Sequence, residues 1–157
     1  MNSIVNIALV SKTHDLLLRI YSKLDMLSPV ANLGLRIWVG MVFFKSGMTK
    51  ISTWDSTIFL FEYEYAVPFL PPETAAIMAV IVELSLPVFL ILGLAGRLSA
   101  IALFTFNIIA VLSYPDLNAA GLRDHQVWGL MLLIPLLQGP SKLSLDHLIQ
   151  KFWLKKQ

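Results

Sequence analysis

Five ionisable residues lie in or beside otherwise apolar stretches, and they are the side chains of this chain best suited to chemistry. Arg36, Lys45 and Lys50 share one apolar segment, Glu83 lies in a second, and His125 begins a third. Cations can donate hydrogen bonds to a carbonyl or an anion, and a buried carboxylate can pass a proton. A charge inside a membrane helix costs about 2.5 to 3.5 kcal/mol on insertion scales, so such residues are normally paired or placed for function.

The composition predicts an integral membrane protein. The chain has 157 residues, 57% hydrophobic and 14% charged, with mean hydropathy +0.72, whereas soluble domains are about 25% charged. The net charge of +2 comes from cations near the ends and in one loop, which is typical of membrane topology and argues against nucleic acid as a partner. Without cysteine, the chain offers no thiolate metal site or iron–sulfur cluster, so a partner or a bound cofactor must carry electrons in any redox reaction.

Hydrophobic periodicity predicts one all-α membrane domain over residues 1–157: a four-helix bundle with amphipathic surface helices at both ends. No signal peptide is predicted. Ser28 and Pro29 form a helix-start signal and set the beginning of the first span. The predicted elements are a surface helix at 13–27, spans at 29–50, 73–95, 97–114 and 124–138, an interfacial aromatic loop or short helix at 52–72, and a surface helix at 144–156.

The distribution of cations predicts the orientation. With both ends in the cytoplasm, eight cations lie beside the spans on that side and two, Lys50 and Arg123, on the other. The positive-inside rule therefore favours a multi-pass protein of the bacterial inner membrane with both termini cytoplasmic. Lys50 is assigned to the outer interface.

The first span has one face that combines a cation with small residues. Arg36, Gly40, Phe43 and Gly47 follow steps of four, three and four, so a neighbouring helix can approach them closely. Counting the rise per residue from the predicted helix starts places Arg36 near the depth of Glu83, which favours an Arg36–Glu83 pair.

Two interpretations of these charges remain open. The pair either holds the bundle together, or belongs to a polar pocket in which Arg36 or Lys45 donates to a ligand and Glu83 relays a proton. Lys45 lies about half a turn from Arg36 and has no assigned partner.

The histidines differ in placement. His125 opens the fourth predicted span and is either a ligand contact or proton entry, or a satisfied histidine at a helix end. His14 and His147 lie on the surface helices. A haem held by two histidines is not expected, since His125 and His147 fall on opposite membrane faces.

Three groups of residues together resemble the DoxX family of small four-helix bacterial inner-membrane proteins. They are Arg36, Gly40, Gly47 and Lys50; Glu83 with Leu92-Gly93-Leu94 and Arg97; and Gly139-Pro140-Ser141 followed by Ser144-Leu145-Asp146. The resemblance covers about residues 31–146, and Ser141 stands where the family pattern has a second glycine. It implies a quinone-linked role, because relatives include a subunit linked to thiosulfate oxidation with quinone as acceptor and others linked to membrane redox complexes.

The sequence leaves three functions to weigh. In the first, Arg36, Lys45 and His125 contact a quinone and Glu83 is the catalytic proton relay, with electrons from a membrane or soluble redox partner. The second is a non-catalytic scaffold for partner proteins. The third is small-molecule transport, for which four spans make a narrow path unless the chain forms a homo-oligomer.

Overall fold

The computed structural model describes residues 2–153, with side chains from residue 12 onward, and this part of the chain is helical without strands. The predicted all-α class is therefore confirmed over that range. The helices are α1 (Asn2–Ser52), α2 (Trp54–Tyr63), α3 (Pro72–Leu92), α4 (Gly96–Leu112), α5 (Ala119–Gln138) and α6 (Leu145–Trp153).

Helix α1 runs without a break through the predicted helix start at Ser28-Pro29, so the predicted boundary there is wrong. It has 51 residues, with Pro29 in its interior. Proline removes one backbone donor, which leaves the carbonyl of Asp25 without its helical partner. Asp25 is exposed, so water can hydrate this carbonyl and the helix continues. The predicted surface helix and the first span are thus one helix of about 76 Å at 1.5 Å per residue.

Two helices are long and apolar enough to cross a membrane by length and composition. They are α1, over its described side chains Lys12–Ser52, and α3. Helix α4 is a shorter apolar helix. Crossing of the bilayer by α4 and α5 remains a prediction.

The structure defines the interfacial segment and moves the start of the fourth predicted span. The predicted aromatic loop at 52–72 contains helix α2, whose Phe61 is buried against α3. Helix α5 begins five residues before the predicted start, because the Asn118 side chain accepts a hydrogen bond from the Gly121 backbone N–H at 2.8 Å. This is an ordinary N-cap, and it moves His125 from the helix end into the second turn.

Close packing of α1 on α3 uses the predicted small-residue face. A Cβ atom added to Gly40 would lie 2.8 Å from the Ile91 side chain, and one added to Gly47 would lie 2.9 Å from Leu84. Helix α1 also contacts α5, and α4 contacts both α3 and α5. The shared core consists of buried apolar side chains from these four helices: Val39, Phe43, Leu90, Ala100, Leu103 and Leu132.

The turn between α3 and α4 is held by a residue that lies 50 positions further along the chain. Asp146 accepts hydrogen bonds from the backbone N–H of Ala95 at 2.9 Å and of Gly96 at 2.8 Å. Ala95 has a positive φ of 49°, which is unfavourable for a side chain with a Cβ atom. The carboxylate thus caps α4 from outside and ties the start of α6 to this turn.

We expect Asp146→Ala to lower the free energy of unfolding by about 1 to 2 kcal/mol, because it removes the cap from two backbone donors. Thermal unfolding in mild detergent measures the change. Asp116→Ala is the control, since Asp116 is an exposed acid in the loop before α5. Equal stability of the two variants would contradict a capping role.

Candidate functional site

Glu83 lies at the centre of the polar contacts between α1 and α3. Its carboxylate accepts hydrogen bonds from the Lys50 ammonium at 2.9 and 2.8 Å and from the Ser46 hydroxyl at 3.2 Å. Lys50 also donates to the Ser46 oxygen at 2.8 Å. The Glu83 side chain is 6% exposed and that of Lys50 is 18% exposed, so the pair is largely buried. Lys50, which the sequence assigns to the outer interface, is thus the partner of Glu83, and its position relative to the membrane stays a prediction.

Arg36 does not pair with Glu83, contrary to the sequence-based expectation. Gly47 of α1 lies beside Glu83, and Gly40 lies beside Pro87 and Ile91. Helices α1 and α3 are thus antiparallel, and Arg36 lies level with the carboxyl-terminal end of α3. The expectation failed because depth was counted from Pro29, which is not the start of the helix.

Arg36 instead connects three chain segments at the far end of α3. Its guanidinium donates to the Leu90 carbonyl oxygen at 3.3 Å and to the Leu143 carbonyl oxygen. Gly93 has φ 65°, and a Cβ atom there would collide with the Arg36 guanidinium. Arg36 is 2% exposed. Its observed contacts are those of a structural brace, and they place it apart from Glu83, Lys45 and His125.

Two cavities border the Glu83–Lys50 pair. The first, of about 480 Å³, is bordered mainly by apolar side chains of α3 and α4. The second, of about 340 Å³, lies between α1, α4 and α5 and has more polar walls. Both are bordered by Lys50, Tyr65, Glu83, Phe106 and Ala110. The second cavity also brings together Lys45 and His125, so three of the four predicted site residues border one space.

His125 is held in one orientation by Asn107, a buried residue of α4. The Asn107 amide nitrogen donates to the His125 carbonyl oxygen at 2.9 Å, and the amide oxygen lies 2.7 Å from His125 Nδ1. Because an amide oxygen can only accept, Nδ1 carries the hydrogen, and Nε2 of the neutral ring is left as an acceptor. In the sequence, the only signal for this role of Asn107 is that it is a polar residue within an otherwise apolar stretch.

Lys45 is exposed on α1 and borders the second cavity. Within residues 12–153, no acidic side chain forms a salt bridge with its ammonium group. Lys45 therefore supplies a cation that is available to a ligand, while the charge of Lys50 is already matched by Glu83.

Tyr65 was not recognised as a site residue from the sequence. It follows α2, borders both cavities and stacks near Phe61 and Tyr114, with ring centroids 4.8 and 5.0 Å apart. Burial raises the pKa of the Tyr65 phenol, and Tyr114 and Glu83 raise it further. The hydroxyl therefore keeps its proton at neutral pH and can donate a hydrogen bond. In the sequence, Tyr65 is one of several aromatic residues in the segment 52–72, and nothing there distinguishes it from the others.

Among the residues described with side chains, no group of three or more histidine, cysteine or acidic residues could hold a metal ion.

We expect Lys50→Met to destabilise the protein by about 3 to 5 kcal/mol, because it leaves the Glu83 carboxylate buried without its partner. The double variant Lys50→Met with Glu83→Met should recover most of this loss. Unfolding in detergent is the measurement, and Lys45→Met is the control on an exposed cation of the same helix. An additive loss in the double variant would show that the two side chains do not interact.

The comparisons with known proteins agree with the resemblance noted in the sequence. A family model described as DoxX matches residues 31–115, which include Arg36, Lys50 and Glu83 but not Asp146. A Haemophilus influenzae protein described as uncharacterized is 32% identical over 142 residues, covering 82% of this chain and 92% of that protein. No solved structure matches. The chain belongs to the DoxX family.

Proposed function

We propose that this protein is a quinone-interacting component of a membrane redox system. The observation that carries the proposal is that the Lys50–Glu83 pair borders both an apolar cavity and a more polar one. A quinone has a polar ring with two carbonyl groups and an apolar tail, so it needs both environments side by side. Each cavity also falls in the size range of small-molecule sites, about 300 to 1,000 Å³.

Four membrane spans with both termini in the cytoplasm are part of the proposal. Two helices have the length and apolar character of spans, and the cations favour this orientation. The cavities then lie nearer the outer ends of the spans, because the loop that leads into α3 is on that side.

The donors that would hold a quinone ring are Lys45 and Tyr65. Both border the polar cavity, and neither donor group makes a hydrogen bond with another described side chain. Hydrogen bonds from an ammonium and a phenol polarise a carbonyl group and fix the orientation of the ring. The apolar cavity, bordered by Met78, Val82 and Leu86 among others, suits the tail.

Protons would come from Glu83 and His125. Reduction of a quinone to a quinol takes two electrons and two protons, and the chain must deliver the protons to the ring oxygens. Glu83 is connected to Lys50 and Ser46 by hydrogen bonds, and His125 Nε2 is free to exchange a proton. These residues form a proton path along the wall of the polar cavity.

The electrons would come from a partner protein, in the membrane or soluble, because the chain has no cysteine to hold an iron–sulfur cluster or to carry electrons itself. In this proposal the chain binds the quinone and delivers its protons, and the partner protein supplies the electrons.

A scaffold role is the second candidate, and one observation favours it. Helix α6 leaves its large apolar side chains exposed, with Phe152 at 68% and Trp153 at 78%. A protein partner or the bilayer surface could cover them.

We expect Lys45→Met to weaken binding of a short-chain quinone by about 10- to 100-fold, the cost of losing one charged hydrogen bond. Purified protein in lipid nanodiscs is titrated and tryptophan fluorescence is followed, since Trp128 borders the cavity. Lys142→Met, an exposed cation at the opposite end, should bind as the unaltered protein does. Unchanged affinity in Lys45→Met would remove this residue from the site.

We expect Glu83→Gln to lower the rate of quinone reduction in membranes by about 10² or more, because the amide cannot pass a proton. Glu73→Gln, at an exposed acid of the same helix, is the control, with protein amounts matched by immunoblot. If activity persists in Glu83→Gln while partner proteins are still recovered, the scaffold role is favoured instead.

A further inference from the structure

The part of α1 before Pro29 carries a row of exposed apolar side chains at alternating spacings of three and four. The row consists of Leu17, Ile20, Leu24 and Leu27, which are 46, 44, 55 and 60% exposed. This spacing is that of the two core positions of a heptad repeat. We call these four residues the α1 seam.

The seam lies on a helix that continues directly into the apolar segment. A helix at a proline bends but keeps its general direction, so it cannot turn through a right angle to lie flat on the bilayer. About 24 residues from Pro29 to Ser52 reach roughly 36 Å, enough for the hydrocarbon core. The segment before Pro29 therefore projects beyond the core.

We propose that the seams of two copies of this chain pack together as a parallel two-stranded coiled coil. Two copies in one membrane have the same orientation and depth, so their seams face one another in register without further adjustment. Leucine and isoleucine at alternating three and four spacings are self-complementary in this arrangement. Confinement to the bilayer also raises the effective concentration of the two helices, which offsets the shortness of the coil.

The charges flanking the seam fit a pair of identical helices. In a parallel coil Lys23 faces Ser28 of the second copy and Leu16 faces Tyr21, so no like charges meet. The opposite face carries the polar residues Asp15, Arg19 and Ser22, although Leu18 and Met26 also lie there.

The same spacing continues past Pro29 with small exposed residues. Ala31 and Gly34 are exposed, and a Cβ atom on Gly34 would have no neighbour within 4 Å. Small residues let two helices approach closely in a membrane. Contact between the copies can therefore extend from the aqueous segment into the apolar one.

Cysteine crosslinking tests the proposal, and the natural chain contains no cysteine to interfere. Leu17→Cys and Leu24→Cys place the thiols in the seam, while Asp15→Cys and Ser22→Cys place them on the opposite face. Membranes are treated with a mild oxidant and resolved on non-reducing gels. We expect a disulfide-linked dimer as the main species for the two seam variants and little for the other two, since a disulfide needs Cα atoms within about 7 Å.

A charge in the seam provides the second measurement. Leu24→Glu, added to the Leu17→Cys variant, should lower the dimer yield about tenfold, because two buried like charges oppose pairing by at least 1.4 kcal/mol. Ser22→Glu in the same background should leave the yield unchanged.

Two results would overturn the coiled coil. Equal crosslinking on both faces would indicate random collision. Absence of dimers, together with a blue-shifted environment-sensitive dye at positions 17 and 24, would show that the bilayer surface covers the seam. The readout is independent of quinone, so it is separate from the outcome for the proposed function.

Discussion

A charge buried among apolar helices needs polar partners, and the buried carboxylate of Glu83 finds its opposite charge in Lys50. On α1, Gly47 lies about one helical turn before Lys50. Packing of Gly47 against α3 therefore brings Lys50 within reach of Glu83. The absence of a side chain at Gly47 and the salt bridge therefore select the same register of α1 on α3. That register in turn places Arg36 at the α3–α4 turn and leaves Lys45 free beside the polar cavity.

The residues that carry the family resemblance separate into two groups with different physical tasks. Arg36, Gly93 and Asp146 meet at one end, where they satisfy backbone groups of turns that no helix can satisfy. Lys50 and Glu83 lie toward the other end, beside the cavities. The first group explains how the chain holds its shape, and the second borders the two cavities described above.

The sequence was sufficient for properties that depend on composition and periodicity, and it failed where they depend on helix register. The all-α class and the small-residue face of Arg36, Gly40 and Gly47 follow from apolar content and spacing. The partner of Glu83 could not be predicted in this way. Its prediction depended on where the first span begins, and a proline inside a helix gives the same local signal as a proline in the first turn. The role of Tyr65 was also hidden, since the loop brings it to Glu83 only in three dimensions.

Because the same ion pair borders both cavities, a change in this pair alters the charge that both cavities meet. An occupant that draws Lys50 away from Glu83 in one cavity exposes a negative charge to the other, and the reverse follows by reciprocity. Coupling between the apolar and polar spaces therefore requires an occupant that displaces Lys50 from Glu83.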